Sequence, residues 1–197
     1  MFISFEGLDG CGKTTQAALL AEAARAAGHE VVSVREPGGT AAGERIRALL
    51  LDPDARIAPW AEALLYAAAR AELVAEVIRP ALDRGATVIA DRYVDSSLAY
   101  QGVARGLGVA EVLDVNLAAT GRLLPDRTIM IELPRDVAAA RRDGAADRIE
   151  AEADAFHAAV ADGFADVARR FPERIVVVDG AGQPEDVAAR VQAEVAL

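Results

Sequence analysis

Eight residues near the start of the sequence have the types and the spacing of a phosphate-binding loop. Residues 7–14 read Gly-Leu-Asp-Gly-Cys-Gly-Lys-Thr and fit the pattern G-x-x-x-x-G-K-[ST]. Glycines let a backbone turn tightly enough to point successive N–H groups at a phosphate. Lys13 adds a compact positive charge for the terminal phosphate oxygens, and the Thr14 hydroxyl is suited to bind Mg²⁺. A chance match is expected in roughly a few chains per ten thousand of this composition, so the pattern predicts a P-loop.

The lysine of this loop is the only lysine in the chain, and this restricts which class of P-loop protein the sequence can encode. The other 20 of the 21 basic residues are arginine. GTPases, ATPases and small-molecule kinases all contain a P-loop, but guanine-specific GTPases also read the base with an Asn/Thr-Lys-x-Asp motif. That motif needs a second lysine, so the sequence disfavours a GTPase. The low lysine content is still compatible with a small-molecule kinase, because arginines can bind an acceptor phosphate with two parallel hydrogen bonds.

Two further polar segments follow apolar runs. Residues 35–40 read Arg-Glu-Pro-Gly-Gly-Thr, and residues 91–102 begin with Asp-Arg-Tyr. Asp91, at the end of a buried strand beside a P-loop, is suited to hold Mg²⁺ through water, with the N-cap of a following helix as the alternative role. Arg92 next to it can clamp a phosphate. These segments therefore supply candidates for a second substrate site.

A pair of side chains on one helix and a cysteine in the loop each allow two interpretations. Tyr66 and Arg70 are four residues apart in a helix-forming segment, so they share a face. Such a pair can stack on a nucleobase and donate to its carbonyl group, or it can be a surface cation–π pair or part of the edge of the core. Cys11 is interpreted as a small packing residue rather than a nucleophile, because no histidine or other base is near it in sequence.

The elements that must position these residues alternate along the chain. Five short, nearly all-apolar runs are typical of strands buried on both faces: 2–5, 31–34, 86–90, 128–133 and 175–178. Helix-forming segments lie between them: 14–27, 41–51, 59–84, 109–120, 135–143, 150–170 and 184–195. This alternation predicts an α/β protein with a P-loop NTPase-like, three-layer α/β/α architecture and a five-stranded parallel sheet. Ligands then bind beyond the carboxyl ends of the strands, where the polar segments lie.

The composition indicates the general class of protein, its cellular location and the kinds of partner it can bind. The chain has 197 residues, 53% of them hydrophobic, and we expect one domain over 1–197. A net charge of −10 disfavours non-specific binding to nucleic acid, which needs a broad basic surface. No apolar run qualifies as a membrane span, and the N-terminal residues lack the basic segment of a secretory signal. We therefore expect a cytoplasmic protein with no nucleic-acid or membrane partner and, with one cysteine, no internal disulfide.

Several motifs together carry a resemblance to a known family. They are GLDGCGKTTQ, REPGGT, LLYAAAR, DRYVDSSLAYQG and DRIE, in this order from residue 2 to about residue 150, with a weaker continuation at 182–184. In this combination the sequence resembles the bacterial form of thymidylate kinase. The resemblance implies transfer of the γ-phosphoryl group of ATP to dTMP, with Mg²⁺ as cofactor, in a homodimer.

The resemblance also implies roles for individual residues. ATP would be held by Gly7, Leu8, Asp9, Gly10, Cys11, Gly12, Lys13, Thr14, Thr15 and Gln183. The acceptor dTMP would be bound by Asp9, Arg35, Glu36, Arg47, Tyr66, Arg70, Arg92, Ser97, Tyr100 and Gln101. Tyr66, where the family usually has phenylalanine, would stack on thymine, Arg70 would donate to a thymine carbonyl group, and Tyr100 would crowd the 2′ position. Mg²⁺ would be held by Thr14 and, through water, by Asp91.

Catalytic roles are implied for Lys13, Asp91, Arg92, Arg141, Arg142 and Arg148, the last three in a lid segment at about 141–152. Gly10 occupies the loop position where some members of the family have arginine, so positive charge over the transferring phosphoryl group must come from elsewhere. The sequence leaves open which lid arginine reaches the γ-phosphate. Two other functions remain as alternatives: a kinase for another nucleotide or deoxynucleoside, and a P-loop module that grips or hydrolyses ATP without phosphoryl transfer.

Overall fold

Five parallel strands form a single sheet in the computed structural model, which describes residues 1–141 and 147–195. They are β1 (Phe2–Glu6), β2 (Val31–Arg35), β3 (Thr87–Asp91), β4 (Arg127–Glu132) and β5 (Ile175–Asp179). The order across the sheet is β2-β3-β1-β4-β5. The strand that leads into the predicted P-loop is therefore central, and the carboxyl ends of all the strands lie along one edge.

Helices cover both faces of this sheet. In chain order they are α1 (Lys13–Ala26), α2 (Ala41–Leu51), α3 (Pro59–Leu73), α4 (Arg79–Asp83), α5 (Val94–Ser97), α6 (Val109–Thr120), α7 (Arg135–Ala140), α8 (Asp154–Arg170) and α9 (Pro184–Glu194). One π-helical segment, π1 (Val74–Ile78), joins α3 to α4, and a second, π2 (Leu98–Ala104), follows α5. The predicted α/β architecture with a five-stranded parallel sheet is confirmed. Within the described ranges, no helix combines the length and the apolar composition needed to cross a membrane.

Two apolar clusters, one on each face of the sheet, hold β1 in place. Ile3 packs with Leu20 of α1 and Val191 of α9 on one face. Phe2 points to the other face and packs in a cluster with Leu73 of α3. Full burial of a side chain of this size contributes about 1.5–3 kcal/mol to stability, so the loop that follows β1 starts from a rigid base.

The expectation that every strand is buried on both faces is wrong for the two edge strands. None of the residues of β2 is buried, and Ser33 and Arg35 are exposed. In β5, Val177 and Asp179 are exposed. An edge strand has only one neighbour in the sheet and less helical cover, whereas central β1 is buried along its whole length.

The predicted helix 59–84 is interrupted for a local reason. The segment π1 lies directly before the turn that contains Pro80, which has no N–H to donate to the carbonyl group four residues earlier. The wider π-helical turn accommodates this missing bond. Residues 94–104, for which the sequence predicted no helix, form α5 and π2 and bring their side chains back toward the P-loop.

The predicted helix 150–170 begins later than expected, at Asp154. Asp147 Oδ1 accepts hydrogen bonds from the amides of Ile149 (2.8 Å) and Glu150 (2.9 Å). This side-chain-to-backbone pattern closes a turn and competes with helical hydrogen bonds.

Candidate active site

The loop between β1 and α1 has the backbone geometry of an anion cradle. Gly12, with a φ of 102°, directly precedes α1, so no side chain caps the first amide groups of that helix. Gly7 has a φ of 133°, and a Cβ atom there would lie 2.9 Å from Cys11 Sγ and overlap the carbonyl oxygen of Ile131. Both positions therefore favour glycine, and the backbone itself forms the cradle.

The single lysine of the chain lies inside this loop. Its side chain is 6% exposed, and Nζ lies 3.8 Å from Asp9 and donates to the carbonyl oxygen of Leu8 (2.7 Å). Burial lowers the pKa of Lys13, and the charge of Arg92 acts in the same direction. An ammonium group carries three donors, so Lys13 can keep its contact with the loop and still bind phosphate oxygens.

Thr14 and Asp91 fit the chemistry of Mg²⁺. Thr14 Oγ1 donates to Asp91 Oδ2 (2.5 Å), so a hydroxyl and a carboxylate oxygen lie side by side at the start of α1 and the end of β3. Within residues 1–141 and 147–195, no three His, Cys, Asp or Glu side chains converge as a metal cluster. Mg²⁺ is commonly bound by one or two protein oxygens, several waters and substrate phosphates. The pair therefore fits an ion that arrives with a nucleotide.

Arg92 has a backbone conformation that few residues other than glycine adopt. Its φ is 72°, in the left-handed region where residues other than glycine are uncommon. The guanidinium group donates to the Gly7 carbonyl oxygen (3.2 Å), to the Ser96 hydroxyl (2.8 Å) and to the Asp9 carboxylate. Strain of this kind persists where the surroundings over-determine it, and it clusters at functional sites. Here it aims the Arg92 side chain at the P-loop.

Asp9 accepts hydrogen bonds from both Arg92 and the phenol group of Tyr100. Besides Arg92, it accepts a hydrogen bond from Tyr100 Oη (3.0 Å). Burial alone would raise the pKa of Asp9, but the charges of Arg92 and Lys13 outweigh it and hold that pKa well below its ordinary value. Asp9 is therefore ionised at neutral pH.

A buried carboxylate that sequence reasoning missed fixes the turn containing Arg92. Glu6, the last residue of β1, accepts hydrogen bonds from the Tyr93 amide (2.7 Å) and the Ser96 hydroxyl (2.5 Å). Burial and the neighbouring Asp95 raise the pKa of Glu6 to about 7, against the opposite effect of Arg92. A charged residue at the end of a mostly apolar strand was the available sequence signal.

The raised pKa of Glu6 predicts how stability depends on pH. The folded protein binds this proton more tightly than the unfolded chain, so the contribution of Glu6 to stability falls as the pH rises from about 4.5 to about 7. Glu6→Gln is neutral at every pH and escapes this loss. We expect the free energy of unfolding of Glu6→Gln, relative to the unmodified protein, to increase between about pH 5 and about pH 8 in urea titrations. A difference that stays constant or shrinks over this range would contradict the assignment.

Two cavities meet at this part of the molecule. One, the P-loop cavity, has a volume of about 580 Å³. The other, the second cavity, has a volume of about 210 Å³ and lies against α3 and π2. Both are lined by Asp9, Glu36, Arg47 and Arg92. Ligands bound in the two cavities would therefore share a wall that carries two cations and two carboxylates.

The predicted site residues divide between these cavities. The P-loop cavity is further lined by Gly10, Gly12, Lys13, Thr14, Thr15, Arg35, Asp91 and Arg141. The second cavity is further lined by the predicted residues Tyr66, Ser97, Tyr100 and Gln101. Arg35 is exposed and pairs with Glu44 (3.4 Å), so it lies at the rim.

Arg70 lies behind the second cavity rather than in it. Its side chain is 1% exposed, and Nε donates to Glu36 (2.8 Å). Its other nitrogens donate to the Ser97 hydroxyl (3.1 Å), the Tyr93 carbonyl oxygen (3.0 Å) and the amide oxygen of Asn116. Arg70 thereby fixes two cavity residues, Glu36 and Ser97. A direct contact with a base requires that one of these bonds be exchanged.

The three arginines predicted for the lid have different surroundings. Arg141 lines the P-loop cavity. Arg142 lies outside the described residues. Arg148 Nη1 donates to Glu62 (2.8 Å), and its Nε donates to the carbonyl oxygen of Leu50 (2.7 Å). Nε and Nη1 of Arg148 are thus engaged by α2 and α3, whereas its buried Nη2 has no hydrogen-bond partner among the described residues, and the role of Arg148 as a phosphate contact stays a prediction.

The turn after β5 packs beside the P-loop. A Cβ atom at Gly180 would lie 3.4 Å from the carbonyl oxygen of Cys11, and Gln16 of α1 donates to the Pro184 carbonyl oxygen (2.9 Å). Gln183 is exposed on this turn and belongs to the lining of neither cavity defined above. Cys11 is buried, and burial raises the pKa of its thiol, which suits a packing role.

A phosphate held at the P-loop would face the contents of the second cavity across one shared, charged wall. The fold and the site therefore define a P-loop phosphotransferase that acts between two small molecules. The family model for thymidylate kinase matches residues 5–191, and the chain belongs to the thymidylate kinase family.

Individual relatives agree with this membership. The thymidylate kinase of Caldanaerobacter subterraneus subsp. tengcongensis is 51% identical over 180 residues, which cover 91% of this chain and 86% of that protein. The thymidylate kinase of Clavibacter sepedonicus is 50% identical over 196 residues, which cover 98% and 93%. A crystal structure of thymidylate kinase from Ehrlichia chaffeensis matches with a TM-score of 0.80 at 34% identity, covering 98% of this chain and 97% of that one. The family resemblance and the predicted enzyme class are confirmed.

Proposed function

We propose that the protein phosphorylates dTMP with ATP and releases dTDP and ADP. The observation that carries this proposal is the wall shared by the two cavities, where Arg47 and Arg92 can face an acceptor phosphate while Lys13 faces the donor. The names of the relatives support dTMP as the acceptor. The chain would act as one domain, with a lid segment at about 141–152.

The reaction needs no protein nucleophile. An oxygen of the dTMP phosphate attacks the γ-phosphorus of ATP, the bond to the β,γ-bridging oxygen breaks in line with the attack, and the electron pair leaves with ADP. Lys13 and the amide groups at the start of α1 would stabilise charge on the transferred group. Arg141, at the end of α7, lines the same cavity and is our candidate for the additional positive charge.

Mg²⁺ would be held by Thr14 directly and by Asp91 through water, consistent with their 2.5 Å contact. When bound, the ion neutralises charge on the β- and γ-phosphate oxygens. Gln183 and the turn around it would border the adenine, since this turn packs beside the P-loop.

We assign dTMP to the second cavity. Its phosphate would face Arg92 and Arg47, with Arg35 and Glu36 close by. Its sugar would lie against Asp9 and Tyr100. The hydrogen bond between these two residues would hold the aromatic ring of Tyr100 in the space that a 2′-hydroxyl would otherwise occupy. Its base would contact Tyr66, Ser97 and Gln101, with Arg70 supporting this wall from behind.

The decisive experiment is a phosphotransfer assay with ATP over dTMP, dUMP, dCMP, dGMP and thymidine. We expect dTMP to give the highest kcat/KM. Preference for any other acceptor would reject the assignment and favour the kinase alternative. ATP hydrolysis or binding without transfer to any of the acceptors would favour the P-loop module.

Substitution of Tyr66 tests the placement of the base. Stacking on an aromatic ring contributes about 1–3 kcal/mol per base, so we expect Tyr66→Ala to raise KM for dTMP by about tenfold to a hundredfold. KM for ATP should change by less than about twofold, because Tyr66 does not line the P-loop cavity. Tyr66→Phe keeps the ring and is the matched control, with KM for dTMP close to that of the unmodified protein. Equal KM values for dTMP in Tyr66→Ala and Tyr66→Phe would remove Tyr66 from the base site.

We also propose a cytoplasmic homodimer. Three large apolar side chains are exposed on neighbouring helices: Leu49 of α2 (47%), and Trp60 (42%) and Leu64 (53%) of α3. The last two are four residues apart and share one face. An apolar patch of this kind is suited to a second copy of the chain, which sedimentation equilibrium would detect as twice the monomer mass.

A further inference from the structure

One buried carboxylate beside the second cavity is engaged by three side chains. Glu62, in the first turn of α3, has no exposed side-chain surface. Its Oε1 accepts hydrogen bonds from Gln101 Nε2 (2.9 Å) and Arg105 Nε (3.2 Å). Its Oε2 accepts from Arg105 Nη2 (3.1 Å) and Arg148 Nη1 (2.8 Å). Two guanidinium groups and one primary amide therefore converge on Glu62.

These contacts keep Glu62 ionised. Burial alone would raise its pKa, but the hydrogen bonds from Arg105, Gln101 and Arg148 hold that pKa below the ordinary value. An ionised carboxylate can only accept hydrogen bonds. The Gln101 amide must therefore turn its NH₂ group toward Glu62, because the opposite orientation would place its carbonyl oxygen against a negative charge.

This orientation decides what Gln101 can offer to a ligand. Gln101 lines the second cavity together with Tyr66 and Ser97. A primary amide carries its oxygen and its nitrogen on opposite branches of one planar group, so holding Nε2 leaves Oε1 as the group that can accept from a ligand. Such a pocket favours a base edge with a ring N–H and disfavours one whose ring nitrogen carries a lone pair.

We propose that Glu62 is a positioning residue that sets the base specificity of the second cavity. By holding Gln101 Nε2, it presents Oε1 to the ring N–H of an imide. Thymine and uracil carry this donor at N3, whereas N3 of cytosine is an acceptor. The inference rests on the proposed function, since it assigns a base to this cavity. It also gives Arg148 a role other than phosphate binding, as one of two cations that keep Glu62 ionised.

The test is the ratio of kcat/KM for dTMP to kcat/KM for dCMP in Glu62→Gln. Glutamine keeps the size of the side chain, but its amide can donate as well as accept, so Gln101 is free to reverse its orientation. We expect the ratio to fall by at least about tenfold, mainly through a higher KM for dTMP, with KM for ATP unchanged within about twofold. A purely structural role would lower kcat/KM for both acceptors together and leave the ratio as it was, and that result would overturn the proposal.

A second variant keeps the proposal testable if Glu62→Gln does not fold. Gln101→Met removes the amide and should lower the same ratio by a similar factor, and adding Glu62→Gln to it should lower the ratio no further. If Gln101→Met retains the full discrimination, the amide does not read the base and the proposal is rejected. The matched control is Glu30→Gln, which removes an exposed carboxylate paired with Arg84 (2.7 Å) and should leave the ratio unchanged.

Failure of this inference is distinguishable from failure of the proposed function. If the unmodified protein prefers dCMP or transfers no phosphate to dTMP, the proposed function itself is rejected. If the unmodified protein prefers dTMP and neither Glu62→Gln nor Gln101→Met lowers the ratio below that of the unmodified protein, only the role of Glu62 and Gln101 in reading the base is rejected.

Discussion

Replacing Lys13 with methionine is expected to lower kcat for phosphoryl transfer from ATP to dTMP by about three orders of magnitude. This corresponds to about 4 kcal/mol, the upper range for removing one preorganised donor from a developing charge. Lys13 is the only lysine of the chain and lies buried at the start of α1, so no second ammonium group can replace it. The rate of dTDP formation at saturating substrates gives the value.

Lys13→Arg keeps the positive charge of the side chain but replaces the compact ammonium group with a larger guanidinium group, so it tests which of the two properties catalysis requires. Lys13 is 6% exposed, and its Nζ lies 2.7 Å from the Leu8 carbonyl oxygen, so the loop encloses a compact ammonium group and leaves little room for a guanidinium fork. We expect a loss of about two orders of magnitude or more. Arg25→Met, at the exposed end of α1, is the control and should leave kcat unchanged within about twofold. An unchanged rate in Lys13→Met would show that the loop lysine is not catalytic.

Arg92→Ala is expected to lower kcat/KM for dTMP by about two to three orders of magnitude. The Arg92 guanidinium lies on the wall shared by the two cavities, and its loss also leaves the partly buried Asp9 carboxylate without its nearest cation. The amide groups of α1 and Lys13 stay in place, so the affinity for a non-hydrolysable ATP analogue should change by less than about threefold. Steady-state kinetics with dTMP and calorimetric titration of the analogue measure the two quantities separately.

Arg92→Lys is the companion variant. Lysine keeps the charge, but it cannot reach Gly7, Ser96 and Asp9 together as the guanidinium group does, so an intermediate loss is expected. If Arg92→Ala transfers phosphate at the normal rate, Arg92 does not handle the acceptor. If the unmodified protein itself binds the ATP analogue but transfers no phosphate to dTMP, the alternative function holds, a P-loop module that binds or hydrolyses ATP without phosphoryl transfer.

The sheet was predictable because its signals are local. Runs of β-branched residues followed by glycine, proline or charged residues mark the ends of the strands, and parallel strands bring those ends to one edge. The exposure of Ser33 in β2 was not predictable in this way, because it depends on where the strand lies in the sheet. The interruption of the predicted helix 59–84 before Pro80 does have a local signal, but the apolar pattern of these residues outweighed it.

Part of the site escaped sequence reasoning because its contacts join distant positions. Glu6 meets Ser96, and Glu62 meets Arg148, each across more than eighty residues of chain. Glu62 does lie four residues before Tyr66, so the helical spacing that singled out Tyr66 could have included it. Spacing fixes which face of a helix a residue occupies but not how deep it lies, and for this reason Tyr66 reaches the second cavity while Arg70 lies behind it.

The burial of Lys13 has a chemical consequence for handling the protein. Because no other lysine exists, the ε-amino group at the P-loop is the only side-chain amine of the chain. The lowered pKa of this group increases its neutral, nucleophilic fraction, while the surrounding loop restricts access to it. Acylation or reductive methylation of the protein therefore labels one side chain, at the centre of the P-loop. An isotope introduced in this way would give one lysine resonance, separate from that of the α-amino group of the chain, and its position would report whether a phosphate occupies the loop.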